Sequence, residues 1–150
     1  MATSADTSCP DVAPHLAHLP GHLIRRASQV HTEMWTRYVA GSVSSVQYAV
    51  LSTLARHEPL DQASIARLIA LDPASTHAVV HRLKAAGYLT MERSTQDGRR
   101  FELRLTDAGL ALRAEIEPRV EQLRQAFEAR LPPEKTTVFL QLLEEFIAAE

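Results

Sequence analysis

Two short stretches of this sequence hold most of the side chains that could act on a partner. The first is Asp72-Pro73-Ala74-Ser75-Thr76-His77, followed by His81 and Arg82. The second is Gln96-Asp97-Gly98-Arg99-Arg100, with Arg93 just upstream. Small hydroxyl side chains such as Ser75 and Thr76, at the start of a helix, allow close approach and can bond bases or phosphates. The dipole at that helix end also favours an anion. An arginine at a loop tip suits the narrow, negative minor groove of DNA. Gln62 and Ser64, ten residues earlier, suit a helix bracing the phosphate backbone. His77 and His81 are spaced i, i+4, which can hold a metal. No cysteine or nearby carboxylate completes a tetrahedral set, so contact with DNA or solvent is the stronger expectation and no metal or cofactor is expected. There is no phosphate-binding glycine loop, nucleophile elbow or HExxH, and the five glycines do not cluster, which argues against an enzyme.

The elements that must position these groups follow from periodicity. Residues 1–14 lack it and are expected to form a mobile tail. From about Leu16, the residues Leu23, Ile24, Ala27, Val30, Met34 and Tyr38 recur at helical spacing, and Gly41-Ser42 closes that helix. Ser44 or Ser45 caps a second helix carrying Val46, Val50, Leu51 and Leu54, which ends before Pro59. Asp61 caps a short third helix, Gln62–Ala70, with Ile65, Leu68 and Ile69 apolar. Asp72 and Pro73 start a fourth, Pro73–Ala86, with Ala78, Val79 and Leu83 expected inside and Gly87 as its stop. Alternating runs at 89–94 and 101–105, around the turn at 96–99, predict a β-hairpin. Thr106 caps a long fifth helix, which Pro118 should kink. Pro132-Pro133 separates it from a last apolar helix.

Two short helices joined by a tight turn and followed by a basic hairpin predict a winged helix-turn-helix. The order is helix, helix, a possible short strand, helix, helix, two strands, helix, helix: mainly α with a small β-wing. In that arrangement the second helix of the pair enters the major groove and the hairpin flanks it. The competing reading is a small α+β domain whose hairpin only closes the core. Charge favours the first. The whole chain carries a net −2, but residues 60–105 hold seven Lys or Arg against five Asp or Glu, so this segment is +2 and the rest −4. The 150-residue length suits one domain with extensions. No apolar run approaches a membrane span, no signal peptide is evident, and a cytoplasmic location is expected. The single cysteine, Cys9, excludes an internal disulfide and lacks the flanking basic cluster of a redox switch.

The segment LSTLARHEPLDQASIARLIALDPASTHAVVHRLKAAGYLTMERSTQDGRRFELRLTDAG, residues 51–109, resembles the MarR family of bacterial transcriptional regulators, and the likeness extends over nearly the whole chain after the tail. Its most specific part is Asp97-Gly98-Arg99-Arg100 followed by Leu105-Thr106-Asp107-Ala108-Gly109. The resemblance implies that Asp97 positions Arg99 and that Arg99 reaches the minor groove. It implies an obligate homodimer in which terminal helices of two chains interlock. The expected division is a tail at 1–14, dimerisation regions at 15–43 and 107–150, and a DNA-binding region at 44–106.

The first helix, from Gly21 to Trp35, is similar to that of members that repress aromatic-acid catabolic genes, including protocatechuate-responsive ones. The resemblance implies an effector that is a small aromatic carboxylate, met by Arg25 and His31. A guanidinium pairs two-pronged with a carboxylate, a histidine can bond a ring hydroxyl, and Trp35 or Tyr38 can wall an aromatic ring. Arg25 and His31 lie six residues apart, about 240° around an ideal helix. One ligand would need Arg25's reach, helix bending or two protomers. An interface ion pair for Arg25 and a satisfied core or interface position for His31 are the alternatives.

Overall fold

The computed structural model describes residues 13–39, 41, 43–95 and 100–149. A 3-10 turn at Pro14–Leu16 precedes α1 (Pro20–Val39), α2 (Ser45–His57), α3 (Gln62–Leu68) and α4 (Pro73–Ala85). Strands β1 (Leu89–Arg93) and β2 (Phe101–Leu105) follow, then α5 (Asp107–Glu128) and α6 (Pro133–Ala148). Cys9, Gln96, Asp97, Gly98 and Arg99 fall outside the described residues.

Local signals start each helix of the DNA-binding half. The Ser44 hydroxyl accepts from the Gln47 amide while the Gln47 side chain accepts from the Ser44 amide, a reciprocal cap. Asp61 and Asp72 accept from the amides of Ser64 and Ser75 at 2.7 and 2.9 Å. Thr106 caps α5 through the Gly109 amide. The ends of α3 and α4 share one device. The Leu71 amide donates to the Ala66 carbonyl and the Tyr88 amide to the Leu83 carbonyl, each closing a Schellman turn. The left-handed residue is Gly87 in one and Ala70, at φ 51°, in the other. This turn ends α3 at Leu68, two residues earlier than periodicity predicts. α1 begins at Pro20 rather than near Leu16, and α5 runs continuously through Pro118.

β1 and β2 pair antiparallel with Leu89 opposite Leu105 and Met91 opposite Leu103. Leu60 adds a single bridge to Leu103, the short strand expected before the helix pair. Two apolar clusters hold the molecule. One joins Val50, Leu51, Leu54, Ile65, Val80, Leu83, Leu89 and Leu103 beneath α2–α4 and the sheet. The other joins Met34, Val39, Val43, Ile116 and Leu123 where α1 crosses α5. Leu112 packs against both.

Candidate nucleic-acid interface and effector site

α4 turns Thr76, Val80 and Leu83 into the first cluster. Ser75, His77, His81 and Arg82 therefore stand exposed on its outward side, with Pro73 and Ala74 leading. Thr76 does not join that surface. It is 1% exposed, and its hydroxyl donates to the Asp72 carbonyl at 2.9 Å. Satisfied this way, Thr76 packs like valine, so its predicted DNA contact is corrected to a core role. Ala78, expected inside, is exposed, and so is Leu68 of α3.

A groove runs over α3 and the turn into α4, lined by Gln62, Ser64, Arg67, Pro73 and Arg100 among others. Gln62 and Ser64 are half-buried; the Ser64 hydroxyl accepts from exposed Arg67 at 3.2 Å. Arg100, at the base of the wing, lies 3.6 Å from the Asp61 carboxylate. Arg67 was not singled out from sequence, although its exposed polar position three residues after Ser64 was a readable signal. The Asp61 carboxyl sits below its ordinary pKa because the Ser64 amide donates to it, reinforced by the Ser64 hydroxyl and the charges of Arg100 and Arg67. The Asp72 carboxyl is lowered in the same way by the Ser75 side chain and amide. Both caps thus keep their charge to lower pH than a free aspartate would. At the wing, the Arg93 guanidinium stacks 5.6 Å from the centre of the Phe101 ring. Glu58, at the end of α2, accepts from the Leu105 amide at 2.9 Å and ties the second wing strand to α2.

The predicted effector residues divide into two groups along α1. Arg25 is exposed and donates to His22 Nδ1 at 2.8 Å. That bond requires a lone pair on Nδ1, so a neutral His22 carries its proton on Nε2, which is buried without a hydrogen-bond partner. Nearly two turns on, exposed His31 faces the half-buried Trp35 ring with centroids 6.4 Å apart. Trp35 donates to the Val43 carbonyl at 2.9 Å and packs at 5.8 Å against Tyr48 of α2. Tyr38 is half-buried against the second cluster. Among the described residues no hydrogen bond or ring contact joins Arg25 to His31. Sequence reasoning placed His22 in a cluster with His15 and His18 rather than with Arg25, and missed Tyr48. His22 could have been found from its position one turn before Arg25, whereas Tyr48 is brought to Trp35 only by the tertiary fold.

Capped helix, left-handed turn, second capped helix and two-stranded antiparallel wing together define a winged helix-turn-helix protein. A family model described as MarR family matches residues 42–100. The chain aligns with the crystal structure of the PcaV transcriptional regulator from Streptomyces coelicolor in complex with its natural ligand, at 39% identity, a TM-score of 0.85, and coverage of 93% of this chain and 99% of that one. The chain belongs to the MarR family of transcriptional regulators, whose proteins are dimers. It is also similar to BpsR of Bordetella bronchiseptica, solved in connection with regulation of its DNA binding by 6-hydroxynicotinic acid, at 28% identity, a TM-score of 0.85, and coverage of 93% of this chain and 100% of that one. Likewise, the HTH-type transcriptional repressor NicR of Pseudomonas putida is 29% identical over 131 residues, 87% of this chain and 83% of that protein. No helix among the described residues is long and apolar enough to cross a membrane.

Proposed function

We propose that this chain is a cytoplasmic homodimeric repressor that holds a pseudo-palindromic operator and releases it when a small aromatic carboxylate binds beside α1. The observation carrying this reading is the outward surface of α4. Ser75, His77, His81 and Arg82 stand exposed at a capped helix start, beside a groove edged by Arg67 and Arg100. That surface suits base-edge readout by α4 and phosphate contact by α3 and the wing. Arg93 adds a cation on β1, and the family resemblance assigns minor-groove contact to Arg99 and its positioning to Asp97, both outside the described residues.

The dimer is supported by unpartnered apolar surface. Of the 16 residues of α6 only Thr136 is buried, while Val138, Leu142, Phe146 and Ile147 are more than half exposed. Leu23 and Ile24 of α1 are also about half exposed. Residues 15–43 and 107–150 are assigned to the dimer region on this basis, and 44–106 to DNA binding. Two-fold symmetry in the protein then calls for two half-sites about one DNA turn apart.

For the effector, Arg25 supplies a forked cation and His31, Trp35 and Tyr38 supply a ring-hydroxyl partner and aromatic walls. The aromatic acid named for BpsR combines a carboxylate with a hydroxyl-bearing ring and supports this choice of ligand class. The effector must favour a dimer whose α4 helices are wrongly spaced, because only differential affinity for the two states couples the sites. Repeated selection from a random duplex pool, with and without hydroxybenzoates and hydroxynicotinates, tests both halves. Enrichment of an inverted repeat that an aromatic acid abolishes is the expected result. No enriched sequence would overturn the operator reading, and enrichment indifferent to every acid would overturn the effector reading.

A further inference from the structure

His77 and His81 stand one helical turn apart on the exposed side of α4, with ring centroids 4.1 Å apart and planes tilted by 46°. No hydrogen bond among the described residues occupies their ring nitrogens. The backbone beneath them is fixed, because Thr76, Val80 and Leu83 are buried on the opposite side of the helix. A transition-metal ion bound at about 2.0–2.1 Å per nitrogen places two neighbouring imidazole nitrogens about 3 Å apart. Rings already this close meet that spacing by side-chain rotation alone.

We propose that His77 and His81 form a two-imidazole chelate for a first-row transition dication, and that this ion and DNA exclude one another on α4. The exclusion rests on the reading that α4 faces DNA; the chelate does not. Imidazole favours copper, nickel and zinc over magnesium or calcium, whose preferred ligands are oxygens. Arg82 and Lys84 on the same helix add no ligand, and water completes the shell. The site is therefore open and exchangeable, unlike a closed structural zinc centre. A hydrated ion there fills the space a base edge would take and occupies the lone pairs the imidazoles would use. By linkage, DNA must weaken metal binding by the same factor that metal weakens DNA binding.

The test uses the full chain, stripped of metal and titrated calorimetrically with nickel sulfate. One nickel per chain is expected, lost in His77→Ala and in His81→Ala but kept in His18→Ala. Alanine at these exposed helical positions preserves helix propensity, and circular dichroism verifies the fold. In fluorescence anisotropy with duplex DNA, nickel at ten times its own dissociation constant should weaken wild-type binding about tenfold per α4, roughly a hundredfold for a dimer that seats both. In His77→Ala and in His81→Ala, whatever their basal DNA affinity, the ratio of affinities with and without nickel should fall to one. Nickel retained by both histidine variants would overturn the chelate. DNA affinity unmoved by saturating nickel would overturn the exclusion. DNA binding absent even without metal would instead count against the operator reading.

Discussion

The backbone carbonyl of Tyr88 occupies the space that a β-carbon on Gly109 would need. Thr106 locks this approach from the other side. Its amide donates to the Tyr88 carbonyl, its hydroxyl donates to the Gly87 carbonyl at 2.6 Å, and the same oxygen accepts from the Gly109 amide. The turn after α4 and the start of α5 are thereby fastened as one unit. Gly109→Ala forces backbone to move, and overpacking of this kind costs about 1–3 kcal/mol. A melting temperature lowered by several degrees is expected; an unchanged one would refute the contact.

Ala70 and Gly87 fill equivalent positions in two Schellman turns, yet only glycine adopts the left-handed region without a β-carbon penalty. Ala70→Gly should therefore stabilise the protein, by about 1 kcal/mol once the penalty of roughly 1–2 kcal/mol is set against glycine's extra chain entropy. Denaturant titration reads the gain as a higher midpoint at constant slope.

Acid should weaken the DNA-binding half through its caps. Asp61 and Asp72 have lowered folded-state pKa values, so their contribution is full above the unfolded carboxylate value, about 4, and fades as pH falls through the folded values. In the proposed dimer region, Glu121, whose carboxyl Arg124 and Gln125 hold down at about 2, adds a separate loss at lower pH. Asp61→Asn with Asp72→Asn keeps cap acceptors but removes two of these titrations. Melting temperature plotted against pH should fall less steeply below pH 4 in this double variant than in wild type.

Arg67→Ala should weaken binding to any duplex to a similar degree and lower the slope of log affinity against log salt by about one. Anisotropy at several salt concentrations measures both; a sequence-selective loss would instead put Arg67 on a base edge.

His22→Ala removes the acceptor that holds the Arg25 side chain. If Arg25 grips a carboxylate, both His22→Ala and Arg25→Ala should preserve DNA binding while the aromatic acid loses potency, more severely for Arg25→Ala. Normal release from Arg25→Ala would exclude it from the effector site.

Much of this architecture was legible because it is written in local chemistry. Asp61, Asp72 and Thr106 mark helix starts, Gly87 marks a stop, and the alternation at Met91 and Leu103 marks the wing strands. What escaped depends on long-range or masked chemistry. Thr76 reads as a polar surface residue, but its hydroxyl is satisfied within α4 and its methyl turns inward. The inward stripe of α4 is thus 76, 80 and 83 with Val79 at its edge, whereas hydrophobicity pointed to Ala78, Val79 and Leu83; Ala78 is exposed, and Thr76 and Val80 were the residues overlooked. Ala70 gave no turn signal because the residue is normally a helix former. The residues proposed for the effector were the least accessible: Trp35 and Tyr48 stand on different helices, and no local pattern encodes their ring contact.

Leu112 touches both apolar clusters, and the helix that carries it begins beside the wing and ends at the base of α6. At about 1.5 Å per residue, the 22 residues of α5 form a rod about 33 Å long. Pivoting that rod by about 10° about its α6 end carries its wing end about 6 Å, set against a half-site spacing of about 34 Å. Leu112 sits near that moving end and packs against both clusters, so under the proposed function a small angular change of α5 against α1 is carried to the wing as a mismatch with the pitch of DNA.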